Sequence, residues 1–300
     1  MICQTIFCQI QLRNTRKDKQ ETASISAREY IENQESIVEA VIMATGGDSV
    51  DMKVIFNADD FGLSKGVNLG IIEAYQRGPV RSTTIMAGMP GFEHAVMLAK
   101  ENPGLKIGIH LTLSDGNSVG GVYRTLTDND GRFFPLDEVD SKAKTGVTYL
   151  TEIEAEFEAQ IQKVLSAGLM PDHFDSHQNT HNLPGVVTVF LELAKKYGVS
   201  ARIFEKGLFP IENDDVKTTD SFSSDFYDDT ATPADLRRIL SYSDTGTLEI
   251  MCHPAFVDYG LFSSSTYNIK RAYELNVLTS PEVMDYMAQC RIEPCSFSDI

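Results

Sequence analysis

Five of the six histidines in the chain fall in three short segments: His110 in GIHLTL, His173, His177 and His181 in HFDSHQNTH, and His253 in MCHPAF. Imidazole ligates metals when neutral and exchanges protons near neutral pH, so clustering of this kind points to a metal or proton-transfer site. The acidic doublet Asp59-Asp60 in VIFNADDFG adds oxygen donors able to hold a divalent cation. Two adjacent carboxylates at a strand end point in different directions, so one can bind a cation while the other faces a water molecule beside it. The segments read together as one metal centre assembled from the ends of separate strands.

Each signal also has a plainer explanation. A lone Asp-Asp pair reads equally as a turn or a helix cap before the helix that begins near Ser64. His110 lies in the apolar run Ile107 to Leu113, where an unpaired ring would cost a few kcal/mol and therefore needs a partner. A backbone carbonyl would satisfy it, but Gly108 before it and the polar loop after it favour a rim position. HFDSHQNTH is the most specific segment, because three histidines and an aspartate within nine residues suit neither a core nor a solvated surface. Strand alternation places His173, Asp175 and His177 on one side, so Asp175 could orient a ligating ring. A helical run would instead pair His177 with His181. Pro254 holds His253 extended, and its ring suits an acid that protonates a leaving amine. Cys252 points to the opposite face and reads as packing. Neither G-x-x-x-x-G-K-[ST] nor G-x-G-x-x-G is present to support a nucleotide site.

Short apolar runs alternate with amphipathic segments from Lys53 onward, which predicts repeated βα units and a parallel sheet. The expected strands are Lys53 to Ala58, Arg81 to Ala87, Lys106 to Leu113, His173 to Ser176, Ser200 to Phe204, Thr247 to Cys252 and Arg291 to Phe297. Thr151 to Glu154 reads as a capping box ahead of a helix with Ile153, Phe157, Ile161 and Val164 on one face. Thr232-Pro233 and Ser280-Pro281 read as helix starts, and Gly198 as the stop of a helix from Val186 to Tyr197. Asp59-Asp60, His110, His177 and His253 then sit at the C-terminal ends of strands, the rim where a (β/α) barrel gathers catalytic groups. A doubly wound sheet binds ligands at the same edge. The expected fold class is α/β, a (β/α) barrel-like fold related to the TIM barrel and open to being incomplete, with long loops such as 114–149 over the rim.

At 300 residues and 42% hydrophobic content the chain can bury a sizeable core. A net charge of −17 disfavours nucleic acid and anionic membranes as partners. Five cysteines without zinc-knuckle spacing suggest no disulfide framework and fit a cytoplasmic location. Residues 1–51 read as an N-terminal extension outside the core, with a short helix around Ala27 to Met43 as the alternative, and residues 52–300 as a single catalytic domain.

NADDFGLSKGVNLGIIEAYQRG, IGIHLTL, HFDSH, SFSSDFY and LEIMCHPAFVD together resemble the YdjC-like carbohydrate deacetylases, and within them the chitooligosaccharide (chitin disaccharide) deacetylase branch. The resemblance runs from about Met52 to the C-terminus. It implies a barrel-like fold, a divalent cation (Mg2+ in the family) and removal of acetate from N-acetylglucosamine units of an acetylated amino-sugar substrate. By motif, Asp60, His110 and His177 would be the metal ligands, Asp59 the catalytic base and His253 the general acid. Where relatives often carry further histidines after the DSH triplet, this chain has Gln178 and Asn179. Donor type alone suits zinc, iron or manganese at least as well as magnesium. Asp175, His181, Arg202 and Phe222 are expected to support the ligands or touch substrate; Phe222, Phe226 and Tyr227 could stack on a pyranose or pack as a lid. A phosphoesterase or other metal-dependent hydrolase, a glycosidase and an inactive sugar-binding protein are the competing readings. Substrate chain length, its phosphorylation and a homodimeric state stay open.

Overall fold

The structure is a computed structural model describing residues 52–146, 150–203, 216–241 and 246–300. The 1–51 extension, the helix weighed around Ala27 to Met43 and Phe204 at the end of an expected strand lie outside the described residues. Among the described residues eight strands pair throughout in parallel: β1 Met52–Phe61, β2 Ser82–Ile85, β3 Lys106–Leu111, β4 His173–Ser176, β5 Ser200–Ala201, β6 Ser221–Ser223, β7 Thr247–Cys252 and β8 Ile292–Pro294. Their order is β5-β4-β3-β2-β1-β7-β6, with β8 paired to β1. The sheet curls through 242° into an incomplete barrel, as expected from the alternating pattern.

Helices cover the outside: α1 Lys65–Arg77, α2 Phe92–Glu101, α3 Leu136–Thr145, α4 Leu150–Ser166, α5 Val186–Tyr197, α6 Pro233–Ser241, α7 Tyr259–Ser264, α8 Ile269–Leu278 and α9 Pro281–Gln289. The period of two along β1 separates its two faces. Val54, Phe56 and Ala58 join the large core beneath the helices, whereas Ile55 packs inside with Cys295 and Phe297.

Several local signals act as read. Ser64 caps α1 by accepting the Val67 N–H, and Ser280 caps α9 with proline in its first turn. The Thr232 hydroxyl accepts the Asp235 N–H at 3.1 Å, and Gly198 ends α5 at φ 66°. Ile153, Phe157, Ile161 and Val164 are buried on α4. The capping box is a correction: Thr151 already lies inside α4 and not ahead of it, and the neighbouring Glu152 accepts the N–H and hydroxyl of Thr125 at 2.9 and 2.7 Å. Strand ends also differ. β1 continues through the acidic doublet to Phe61, β2 and β3 stop early, and β8 gives way to a 3-10 turn at Phe297–Asp299. β6 was absent from the expected strands because three residues are too short to show alternation. The 114–149 stretch contains α3 and is pinned where the buried Glu156 carboxylate accepts the N–H groups of Val119 and Gly120, each at 2.8 Å.

Candidate metal centre

The β1 pairing with β2 slips between Ala58 and Phe61, and Asp60 at the slip adopts φ 71°. A bulge of this kind re-aims a side chain, and aspartate tolerates the left-handed region better than most residues. Its consequence is that Asp59 and Asp60 serve different neighbourhoods. Asp60 Oδ1 stands 2.9 Å from His177 Nδ1 and 3.2 Å from His110 Nε2. Its other oxygen, Oδ2, accepts from Arg271 Nη2 at 2.7 Å.

The two histidines arrive from β3 and from the turn after β4. His110 is opposite Asp175 in the β3–β4 register, and its Nδ1 lies 2.7 Å from Asp175 Oδ1. That contact turns Nε2 toward Asp60, as a carboxylate behind a ligating ring does. Asp175 Oδ2 is in turn held by Thr84 Oγ1 at 3.1 Å, Asn57 Nδ2 at 3.2 Å and Arg202 Nη1 at 3.1 Å. His177 begins a 3-10 turn in which Gln178 and Asn179 have φ 52° and 55°. This sharp reversal leaves Nδ1 on Asp60 and Nε2 3.4 Å from Asp115.

Two donor triads share His110: Asp60, His110 and His177, and Asp59, His110 and Asp175. The second already holds a cation. Arg202 is fully buried and binds Asp59 through two N–H groups at 2.7 Å each, while its Nε donates to Glu249 at 2.7 Å. The first triad fits a divalent ion, because cis ligands about 2.1 Å from a metal stand about 3 Å apart.

Electrostatics agree. Asp59, Asp60 and Asp175 are three buried carboxylates against two guanidiniums, Arg202 and Arg271, an excess of one negative charge when all are ionised, and Glu249 adds a second only as it ionises near 7. Burial alone would pull the His110 ring down, but the charges of Asp175 and Asp59 and hydrogen bonds to Asp175 and Asp60 push it up to about 10. His177 is likewise raised, burial being outweighed by Asp60 and Asp115. Asp60 is held well below the carboxylate range, with Arg271 and His177 overcoming burial. A pair of rings that gather protons against this charge is a pair that a dication can occupy instead.

His253 follows β7, whose register sets Cys252 opposite Ala58 and so brings His253 to the same rim as Asp59. Tyr227 and Tyr267 stack at 4.1 Å and each meets the His253 ring edge-on at 5.7 Å. Glu274 on α8 accepts the His253 backbone N–H.

The structure thus brings Asp59, Asp60, His110, Asp175 and Arg202 into one buried network, joined by the partly exposed His177 through Asp60, with His253 at its edge. Other members of the histidine-rich segment part company. His181 is buried against Phe190, its Nδ1 is 2.6 Å from Ser176 Oγ, and burial and Arg202 pull it down to about 3. His177 turns to Asp60 and Asp115, while His181 turns to Ser176. His173 stacks on Phe297 at 3.8 Å and bonds Asp172, deeper in the barrel. Phe226 is fully buried packing, while Phe222 covers the Arg202 guanidinium at 5.3 Å. Arg271, Glu274, Asp115, Thr84 and Glu249 were missed; Arg271 and Glu274 lie on a helix where charges ordinarily read as a solvated face, and only the buried Glu-Leu neighbourhood of AYELNVL hints otherwise.

The chain is 40% identical over 251 residues to a carbohydrate deacetylase of Clostridium beijerinckii, covering 83% of this chain and 100% of that protein. It is 42% identical over 256 residues to a carbohydrate deacetylase of Listeria welshimeri, with the same coverage. A crystal structure of an Enterococcus faecalis protein named for cellobiose-phosphate cleavage superimposes with a TM-score of 0.76 at 33% identity, covering 83% of this chain and 98% of that one. Residues 53–289 match the YdjC-like protein family, and the chain belongs to it.

Proposed function

We propose that residues 52–300 form a single catalytic domain that removes the N-acetyl group from N-acetylglucosamine-containing oligosaccharides, giving acetate and a free amino sugar. Relatives that are carbohydrate deacetylases over their whole length support the reaction class. The observation that carries the reading is Asp60 Oδ1 shared by two histidine nitrogens, with Asp59 beside it clamped by Arg202.

Amide hydrolysis needs an activated water, a polarised carbonyl and a proton for the departing nitrogen. Asp60, His110 and His177 would hold a divalent ion, which when bound supplies the Lewis acidity that polarises the carbonyl and acidifies water. Magnesium is the ion we assign by family resemblance. Asp59 accepts the proton of the attacking water. Oδ1 also accepts from Asn57 Nδ2 at 3.0 Å, whereas Oδ2 keeps a second lone pair after Arg202 is bonded, so the clamp fixes the base without blocking it. His253 protonates the amine as the carbon–nitrogen bond breaks, and Tyr227 with Tyr267 offers an aromatic shelf for a sugar ring.

Purified protein should release acetate from N,N'-diacetylchitobiose or its phosphorylated form, and chelation should stop it. Asp59→Asn should abolish turnover with metal retained; near-normal turnover would remove the base assignment. The name of the Enterococcus relative suggests a second reading, cleavage of a phosphorylated disaccharide at the same rim. Products lacking acetate but containing a monosaccharide phosphate would favour it.

Among the described residues no helix is long and apolar enough to cross a membrane.

A further inference from the structure

We propose that Glu274 is the positioning residue for the acid His253, so that proton donation is the work of a His253–Glu274 pair; the inference rests on the deacetylase reading above. Glu274 is fully buried on α8. Its Oε2 accepts the His253 backbone N–H, and its Oε1 accepts the Tyr267 hydroxyl. Oε1 also lies 3.7 Å from His253 Nδ1, a buried atom with no hydrogen-bond partner among the described residues. A buried carboxylate is costly unless its oxygens are engaged. Here two anchors fix the carboxylate and leave an oxygen facing a ring nitrogen that has no other partner. Catalytic hydrogen bonds often run long before substrate binds and tighten in the reacting complex.

The neighbours leave this role to Glu274. Tyr227 and Tyr267 meet the ring with their edges and faces, and Tyr267 already spends its hydroxyl on Glu274. Arg271, one turn earlier on α8, is committed to Asp60 and to the Tyr267 carbonyl, each at 2.7 Å. Asp258, from the loop after β7, accepts the N–H groups of Gly66 and Leu261. With Nδ1–H directed to Glu274, Nε2 is the nitrogen left for substrate. In the step itself the Nε2–H proton passes to the departing nitrogen, which takes the electron pair of the broken carbon–nitrogen bond. Glu274 keeps its charge and orients the imidazolium; it accepts no proton.

A carboxylate that only tied down the backbone would matter equally for every substrate. The test therefore compares an acetamido sugar with 4-nitrophenyl acetate, whose leaving group departs without protonation. Glu274→Gln should lower kcat on diacetylchitobiose by about 100-fold, the scale of acid catalysis, and on the ester by less than about threefold. KM and metal content should hold. His253→Ala should show the same split, and the double variant should be no slower than His253→Ala alone, as for residues acting as a unit. Equal losses on both substrates, or losses that multiply in the double variant, would overturn the inference while leaving the deacetylase reading intact. A wild-type protein that releases no acetate from acetylated amino sugars removes that reading and this inference with it.

Discussion

The two ends of the barrel interior are filled by opposite chemistry. At the C-terminal end Asp59, Asp60, His110, Asp175 and Arg202 are buried and paired with one another. Toward the N-terminal end Ile55, Cys295 and Phe297 pack as a small apolar plug, with His173 stacked on Phe297. The same strands build both. Ile55 and Asp59 share a face of β1, and His173 and Asp175 share a face of β4, so a displacement of a few residues along a strand separates packing from chemistry. Buried ion pairs are weak evidence for stability, since their desolvation offsets much of their attraction. The polar end is therefore explained by what it can bind, and the plug by what it stabilises.

That contrast breaks first at the ligands. His110→Ala or His177→Ala should weaken metal binding by more than about 100-fold, beyond what outer partners of a ligand usually cost, and His110→Ala, which strands the buried Asp60 and Asp175 carboxylates, should also lower the melting temperature. Metal analysis after dialysis and a melting curve check both halves; a variant that keeps its metal would contradict the assignment. The plug should behave in reverse. Phe297→Ala should cost about 3–5 kcal/mol of stability by leaving a cavity, while kcat of the folded protein stays within about twofold, as expected for a change away from the reacting groups. Urea unfolding and steady-state rates at low temperature measure the two.

Glu249 sharpens the boundary between the ends. Burial, outweighing Arg202, pushes its carboxyl from 4.5 up to about 7. Below 4.5 it is neutral in both folded and unfolded chains, and its contribution is fully present. As pH rises toward 7 the unfolded chain ionises first and that contribution is lost, about 3 kcal/mol at the full shift. Unfolding free energies of wild type should therefore fall between about pH 4.5 and pH 7 relative to Glu249→Gln, which lacks the titration. Parallel pH profiles would contradict it. The smallest effect should come from Thr84→Val, which removes one hydrogen bond to Asp175 and should weaken metal binding by about tenfold, the lower end for an outer partner. Competition with a chromogenic chelator would read it.

The sequence carried the alternating architecture and the strand-end positions of Asp59, Asp60, His110 and His253, because each follows a run whose periodicity is local. It could not separate His173 from His177. Both sit in one motif, yet four residues of strand span about 13 Å, enough to move a ring from the rim to the plug. The division of labour in the acidic doublet came from a register slip and a left-handed Asp60, which depend on β2. Arg271 and Glu274 were invisible because α8 gains its meaning only by docking: the Ala255 N–H donates to the Arg271 carbonyl at 3.2 Å, bringing the helix against the rim.

Crystals grown with Mn2+ and measured at its absorption edge offer the sharpest test. One anomalous peak should lie within about 2.5 Å of Asp60 Oδ1, His110 Nε2 and His177 Nδ1, with Arg202 still on Asp59. A peak between Asp59 and Asp175 with Arg202 displaced, or no peak at the rim, would contradict the account.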